Sequence, residues 1–335
     1  MRPSRAALVA TKPGEGGPVW LVWTALGIVY LVWGSTYLAI RIMVETMPPL
    51  LGAGLRFFAA GVLLWGWLAW RRGHRSVTVT RRELGASALV GTALLLGGNG
   101  LVSVAEQDIP SGLAALLISS VPLWVVLWRK VAHERVSGVT LGGVVMGFAG
   151  VGFLVLPSAR AGVVEGPGPL LVVVAAVFWA TGSFFSGKIT LPSDAFVATA
   201  YEMLTGGAIL IVAGAATGEL GEVDLEGFSA PSVWAFLYLI FVGSLVAFTA
   251  YVWLLGNAPI SKVATYAYVN PVVAVFLGWL ILGEPLSPPI VLGAVLIVAS
   301  VAFIVRHEAR AAAPRPAEGA GSEGCVEPAL EARRP

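Results

Sequence analysis

The chain has 335 residues, 57% of them hydrophobic and only 12% charged, with a mean hydropathy of +0.84 and a formal net charge of +2. A soluble protein carries about 25% charged residues, so hydropathy overrides the two soluble domains that the length would suit, and a bilayer is the expected solvent. The single cysteine, Cys325, lies in a polar tail and excludes an intramolecular disulfide or a cysteine metal cluster.

Residues 1–18 are polar and carry Arg2, Arg5 and Lys12. No small-residue cleavage site follows the next apolar run, which therefore reads as a retained first span rather than a signal peptide. About 20 apolar residues cover the ~30 Å hydrocarbon core. In chain order the predicted spans are 20–44, 49–70, 84–104, 110–130, 138–156, 169–188, 195–216, 232–255, 261–282 and 289–306. Pro48-Pro49, Pro110, Pro231 and Pro288-Pro289 stand at span starts, where a missing N–H costs least. Past Arg306 the chain turns to Ala, Pro, Glu and Gly, too polar to offset the entropy of ordering, so 307–335 is expected to be a disordered tail.

The second half echoes the first. Trp33 and Trp179 share the sequence offset that relates Arg56 to Glu202, and each member of the second pair opens a run of small and apolar residues. Glu134 and Glu284 are each followed three residues on by serine (Ser137, Ser287) and nine on by glycine (Gly143, Gly293). A five-helix unit crosses the membrane an odd number of times, so its copy enters from the opposite side. The expected fold is thus an all-α integral membrane protein of ten transmembrane helices in two inverted five-helix repeats, 19–157 and 169–306, joined by an external linker at 158–168. Inverted repeats of this kind belong to secondary transporters, with the substrate held near the midplane between the halves.

Cations set the orientation. With the N-terminus inside, 18 of the 21 Lys and Arg residues fall on the cytoplasmic side, Arg160 alone falls outside, and Arg41 and Arg56 lie within spans. This obeys the positive-inside rule and places both termini in the cytoplasm of a plasma (inner) membrane protein. Arg71, Arg72, Arg75, Arg81 and Arg82 read as a topology determinant beside anionic headgroups rather than a nucleic-acid patch.

Several motifs resemble the drug/metabolite transporter superfamily, and within it the EamA-like family, over nearly all of residues 20–306. In the first half they are Trp33-Gly34-Ser35-Thr36, Pro48-Pro49, Leu55-Arg56-Phe57, and Pro122 ahead of His133-Glu134-Arg135-Val136-Ser137. In the second they are Trp179-Ala180-Thr181-Gly182-Ser183, Gly243-Ser244, Thr265-Tyr266-Ala267-Tyr268-Val269-Asn270-Pro271 and Gly283-Glu284-Pro285-Leu286-Ser287. The resemblance implies ten helices in two repeats and export or exchange of small metabolites such as amino acids. His133 departs from it, standing where the family usually has glycine.

Charges inside spans are costly, so Arg41 and Arg56 are candidates for gating or coupling. Arg41 also fits a structural reading, snorkelling with Glu45 at i+4 as its partner. Arg56 lies about 10 Å into its span. Glu202 holds its place in the second repeat, and inversion puts the two toward opposite faces, so pairing with neighbours and service to separate gates both stay open. Glu202 is the candidate protonatable group for proton coupling. Polar and aromatic residues at depth are the candidate substrate contacts: Trp33, Thr36 and Tyr37 in the first span, Asn99 in the third, Trp179 in the sixth, Tyr251 in the eighth, Tyr266 and Asn270 in the ninth. Asn99 fits a helix cross-link equally well. Pro122 and Pro271 are expected to kink their helices and free the carbonyls of Ile118 and Ala267. Glu134 and Glu284 read as span-end acids that solvate and cap the following helix.

The leading function is a secondary transporter that moves small organic metabolites, amino acids or amphipathic compounds, by alternating access, as an exporter on the strength of the resemblance and with proton coupling open. A facilitated exchanger or uniporter without ion coupling is the nearest alternative, and a membrane-embedded enzyme or scaffold a remote one. His74, His133 and His307 lie in loops or the tail, and no phosphate-cradling Gly-Lys-Ser/Thr sequence is present. No cofactor, metal or nucleic acid is expected. The partners are a small-molecule substrate and membrane lipid, with a homodimer left open.

Overall fold

The computed structural model describes residues 18–160 and 166–311, all of its regular elements helical. The expectations for the N-terminal segment, much of the linker and most of the polar tail lie outside these residues. The helices are α1 (Val19–Met43), α2 (Pro49–Arg72), α3 (Arg81–Ala105), α4 (Ser111–Ile118), α5 (Val121–Val131), α6 (Gly138–Arg160), α7 (Gly168–Ser186), α8 (Ala195–Ala216), α9 (Ala230–Asn257), α10 (Tyr266–Leu282) and α11 (Pro288–Ala311). Counting α4 and α5 as one span, nine helical stretches among the described residues are long and apolar enough to cross a membrane. The ninth predicted span appears instead as a turn of helix at Ile260–Val263 followed by the 17-residue α10, which at 1.5 Å per residue reaches about 25 Å.

Three helices depart from regular α geometry. The third predicted span passes through a π-helical segment, Thr92–Gly100, and the eighth through another, Leu239–Val246. The fourth is broken rather than kinked. Ser119 and Ser120 donate their hydroxyls to the carbonyls of Leu116 and Leu117, each at 2.6 Å, closing the chain into a turn that ends α4 before Pro122 is reached. Pro122 then sits in the first turn of α5, where its missing N–H is harmless. Pro271, in contrast, lies inside α10, which continues past it.

Packing joins the first half of the chain to the second. The most extensive contacts are α2 with α8 and α6 with α11, and α1 lies against α9 and α10 while α7 lies against α3, α4 and α5. Lipid gives no hydrophobic drive between helices, so close approach of small residues supplies the packing. The α2–α8 crossing has this character: a Cβ on Gly207 would fall 2.6 Å from the Phe58 amide nitrogen, and one on Gly54 2.8 Å from that of Ile211.

The connections sort into two groups that contact one another within each group. At one end Arg72 bonds Asp194 at 2.7 Å, Lys188 bonds Glu134 at 3.1 Å and the Tyr201 hydroxyl donates to the Val77 carbonyl at 2.8 Å. At the other, Arg41 donates to the Gln107 carbonyl at 2.7 Å, the Leu51 amide to Glu219 at 2.8 Å and the Ser229 amide to the Thr46 hydroxyl at 3.1 Å. The connections after α1, α3 and α8 thus meet at one end and those after α2, α5 and α7 at the other. Gly207→Val places atoms against Phe58 backbone that cannot yield, and a loss of about 1–3 kcal/mol is expected, read as a lowered melting temperature of the detergent-solubilised protein against Gly66→Val, whose added Cβ meets nothing within 4 Å.

Candidate functional site

Three of the expected substrate contacts converge. The Trp33 ring on α1 lies 5.0 Å from Tyr251 on α9 and 5.3 Å from Tyr266 on α10, and Tyr251 lies 5.7 Å from Tyr266. Phe248, absent from the expected set, completes the cluster at 5.6 Å from Trp33 in an edge-to-face arrangement. Its signal was its place one turn before Tyr251 on the same face of α9. Such ring pairs contribute about 0.5–1.5 kcal/mol each beyond their area. Around the rings pack Leu26, Leu254 and Val263, so a ligand here would meet aromatic faces and aliphatic walls.

Thr36 and Asn270 border this cluster. The Thr36 hydroxyl donates to the Trp33 carbonyl at 2.7 Å, leaving its methyl toward Gly243. Asn270 is buried, and its Oδ1 has no hydrogen-bond partner. α1 and α10 cross at this level: a Cβ on Gly34 would lie 2.6 Å from Val273 and 3.1 Å from the Asn270 carbonyl.

The other expected contacts lie elsewhere. Trp179 on α7 packs over Gly98 of the π segment in α3, and no ring contact links it to Trp33 among the described residues. Asn99 donates Nδ2 to its own helix at the Leu94 carbonyl, 3.2 Å away. Tyr37 packs against the core built by α3, α4, α5, α6, α7 and α11, within electrostatic reach of Tyr266.

Arg56 is buried, with Nε donating to Ser244 Oγ at 3.2 Å and the guanidinium over the Phe57 ring at 4.4 Å. Ser244 and Gly243 lie in the π segment of α9. A Cβ on Gly243 would sit 3.6 Å from Arg56 Nη2, so glycine lets the segment come up against the guanidinium. Arg56 forms no ion pair with Glu202 among the described residues. Glu202 is half-buried on α8, with its carbonyl against Gly91 of α3.

Arg41 does not pair with Glu45. Its Nη1 donates instead to the carbonyls of Glu106 and Gln107, gripping the backbone where α3 ends. Carbonyls at a helix C-terminus carry partial negative charge, which makes them good acceptors for a guanidinium. Glu106 stands one residue past the end of α3. It is fully buried, and neither carboxyl oxygen has a hydrogen-bond partner. Burial and the nearby Glu284 push its carboxyl well up, against the pull of Arg41 and Arg56.

Glu284 does not cap the following helix α11 as expected. Its Oε1 accepts from the Ser111 amide at 2.7 Å and its Oε2 from the Gly112 amide at 2.9 Å, capping α4 from the other half of the chain. Glu219 does the same for α2, accepting from Leu50 at 3.1 Å and Leu51 at 2.8 Å. The first amides of a helix have no partner in their own helix, and a carboxylate there answers both the hydrogen bond and the dipole. Glu134 is a loop ion pair, held by Lys188 and Arg129 at 3.1 Å each, and those contacts draw its carboxyl below the usual range.

Residues 20–156 and 166–306 match the model of the EamA-like transporter family. The chain is 40% identical over 267 residues to "Uncharacterized inner membrane transporter YedA" of Escherichia coli (strain K12), covering 78% of this chain and 83% of that one. It is 27% identical to "Uncharacterized transporter YoaV" of Bacillus subtilis (strain 168), over 84% of this chain and 96% of that protein. It is 28% identical to "Probable amino-acid metabolite efflux pump" of Salmonella typhimurium, again over 84% and 96%. A solved crystal structure is matched with a TM-score of 0.59 at 21% identity, covering 87% of this chain and 99% of its own, a likeness of fold alone.

Two substitutions separate the latches from their surroundings. Ser244→Ala strands a buried guanidinium N–H, and a loss of about 1.5–3 kcal/mol is expected in chemical denaturation, with Ser35→Ala as the comparison because its Tyr238 partner keeps other neighbours at a half-buried site. Glu284→Ala leaves the Ser111 and Gly112 amides without an acceptor, and a loss of about 1–2 kcal/mol is expected, most of which Glu284→Gln restores by keeping one acceptor oxygen.

Proposed function

Because the chain belongs to the EamA-like transporter family, we propose that it is a secondary transporter that exports small organic metabolites across the inner membrane by alternating access. The observation that carries this reading is the aromatic cluster of Trp33, Phe248, Tyr251 and Tyr266, because it is built where helices of the two halves meet and contains no fixed charge. An amphipathic or aromatic compound suits such a lining better than a phosphate or nucleotide. The relative named as an amino-acid metabolite efflux pump supports export and a substrate of amino-acid size.

Ten crossings in two inverted repeats, with α10 as the ninth, account for the division of connections between the two ends and for the way each helix of one half finds its main partner in the other. The end that gathers Arg72, Arg129 and Lys188 is then cytoplasmic, and the end that gathers Glu106, Glu219 and Glu284 is external. Both termini lie inside. Alternating access requires the two halves to rock about their shared contacts, and α2–α8 is the central one. Trp179 and Asn99 line the cavity only in a conformation that opens the α3–α7 contact.

The decisive experiment is uptake into proteoliposomes of a panel of radiolabelled amino acids and amphipathic amines, with and without an imposed pH gradient. Transport of at least one compound is expected, and Trp33→Ala and Tyr266→Ala should weaken its apparent affinity at least tenfold. Unchanged affinity in both variants refutes the aromatic cluster as the substrate site. Transport without any pH dependence favours the facilitated exchanger.

A further inference from the structure

We propose that Glu106 is a proton-binding site: in the conformation described here its carboxyl carries a proton, which it gives up to water when the end of α3 opens. The first ground is geometric. Glu106 has no exposed surface, and both of its oxygens lack a hydrogen-bond partner. A carboxylate so placed would have lost its hydration with nothing in exchange, whereas the neutral acid loses far less.

The second ground is the disposition of the nearby cations. Arg41 gives its Nη1 to the carbonyls of Glu106 and Gln107, and Arg56 gives its Nε to Ser244. Neither forms an ion pair with the Glu106 carboxyl among the described residues. The Arg41 guanidinium thus holds the backbone of the residue whose carboxyl it attracts only from a distance. Ser111 Oγ, at the start of α4 a few residues on, is likewise buried without a partner.

The groups that act on Glu106 come from several elements. Tyr37 and Arg41 stand on α1, Arg56 on α2, and Glu284 on the connection after α10. Glu284 carries negative charge but is already committed to the amides of Ser111 and Gly112. α4 and α7, packed against the end of α3, bring no titratable side chain. Deprotonation releases H⁺ to water and leaves a carboxylate that draws Arg41 away from the backbone carbonyls or Arg56 from Ser244. Loss of the proton is therefore tied to loosening of the contacts that close this end. Use of this site to drive transport rests on the transporter reading; the proton site itself does not.

Infrared spectroscopy of the full chain in vesicles of phosphatidylethanolamine and phosphatidylglycerol tests the proposal without any substrate. At neutral pH the wild type should show the C=O stretch of a protonated carboxyl, absent in Glu106→Gln and retained in Glu284→Gln and Glu202→Gln. No such band in the wild type, or its survival in Glu106→Gln, overturns the assignment. Should Glu106→Gln fail to fold, Glu106→Asp keeps the acid and must shift the band; an unshifted band overturns it as well. A second readout is thermal stability. A carboxyl raised in the folded state stabilises fully below the unfolded glutamate value of about 4.3, and that contribution is lost as pH rises through the folded value. The wild-type melting temperature should fall across that window by more than that of Glu106→Gln; equal slopes overturn the proposal. Where the wild type transports, Glu106→Gln should transport without response to a pH gradient. Absence of all flux would count against the transporter reading and leave the infrared result to decide the proton site.

Discussion

A backbone amide or a guanidinium inside a bilayer has no water to turn to, and each must find its partner within the chain. This requirement organises the helix ends. Glu219 meets the first amides of α2, Glu284 meets those of α4, and Arg41 meets the carbonyls of Glu106 and Gln107 just past the end of α3. Each contact reaches across sequence rather than along it, so the groups that satisfy the helix termini also fix which helices are neighbours. Covering a terminus and holding the bundle together are one interaction here.

Between the ends, small residues set the spacing and polar ones set the register. Gly54 and Gly207 bring α2 and α8 into backbone contact, and Gly34 does so for α1 and α10. Directional contacts resist sliding of the helices, among them the buried bond from Arg56 on α2 to Ser244 on α9. The aromatic cluster lies beside that contact on the same helix: Ser244 and Phe248 are one turn apart on α9. A change in the rings therefore bears on the arginine latch through a single rigid segment.

Much of this was legible in the sequence. Apolar runs of about twenty residues marked the helices, and Trp33, Tyr251 and Tyr266 could be placed at depth from the span boundaries alone. Glu284 was visible as a span-end acid, but which helix it caps depends on three-dimensional proximity that spacing does not contain. Arg41 looked paired with Glu45 because i,i+4 neighbours are the contacts a sequence displays, while a carbonyl acceptor is the same at every residue and so leaves no mark. Glu106 was hidden for a related reason: an acid just past an apolar run looks like the start of a loop, and only the packing of α1, α2 and α4 around it shows that water is excluded.

The wide turns in α3 and α9 carry a consequence of their own. A π segment holds one residue more than the α-helical path needs, so the side chains beyond it are rotated by about a third of a turn relative to those before it. Thr92–Gly100 and Leu239–Val246 thus each let one helix present two different faces to its neighbours, above and below the segment. Deleting a single residue from either would leave a regular helix with its far half still in place, and the cost would be local: the wide turn that in α9 sets Ser244 beside Arg56 would be gone. At these two places a surplus residue reshapes one turn without disturbing the packing of the helix on either side of it.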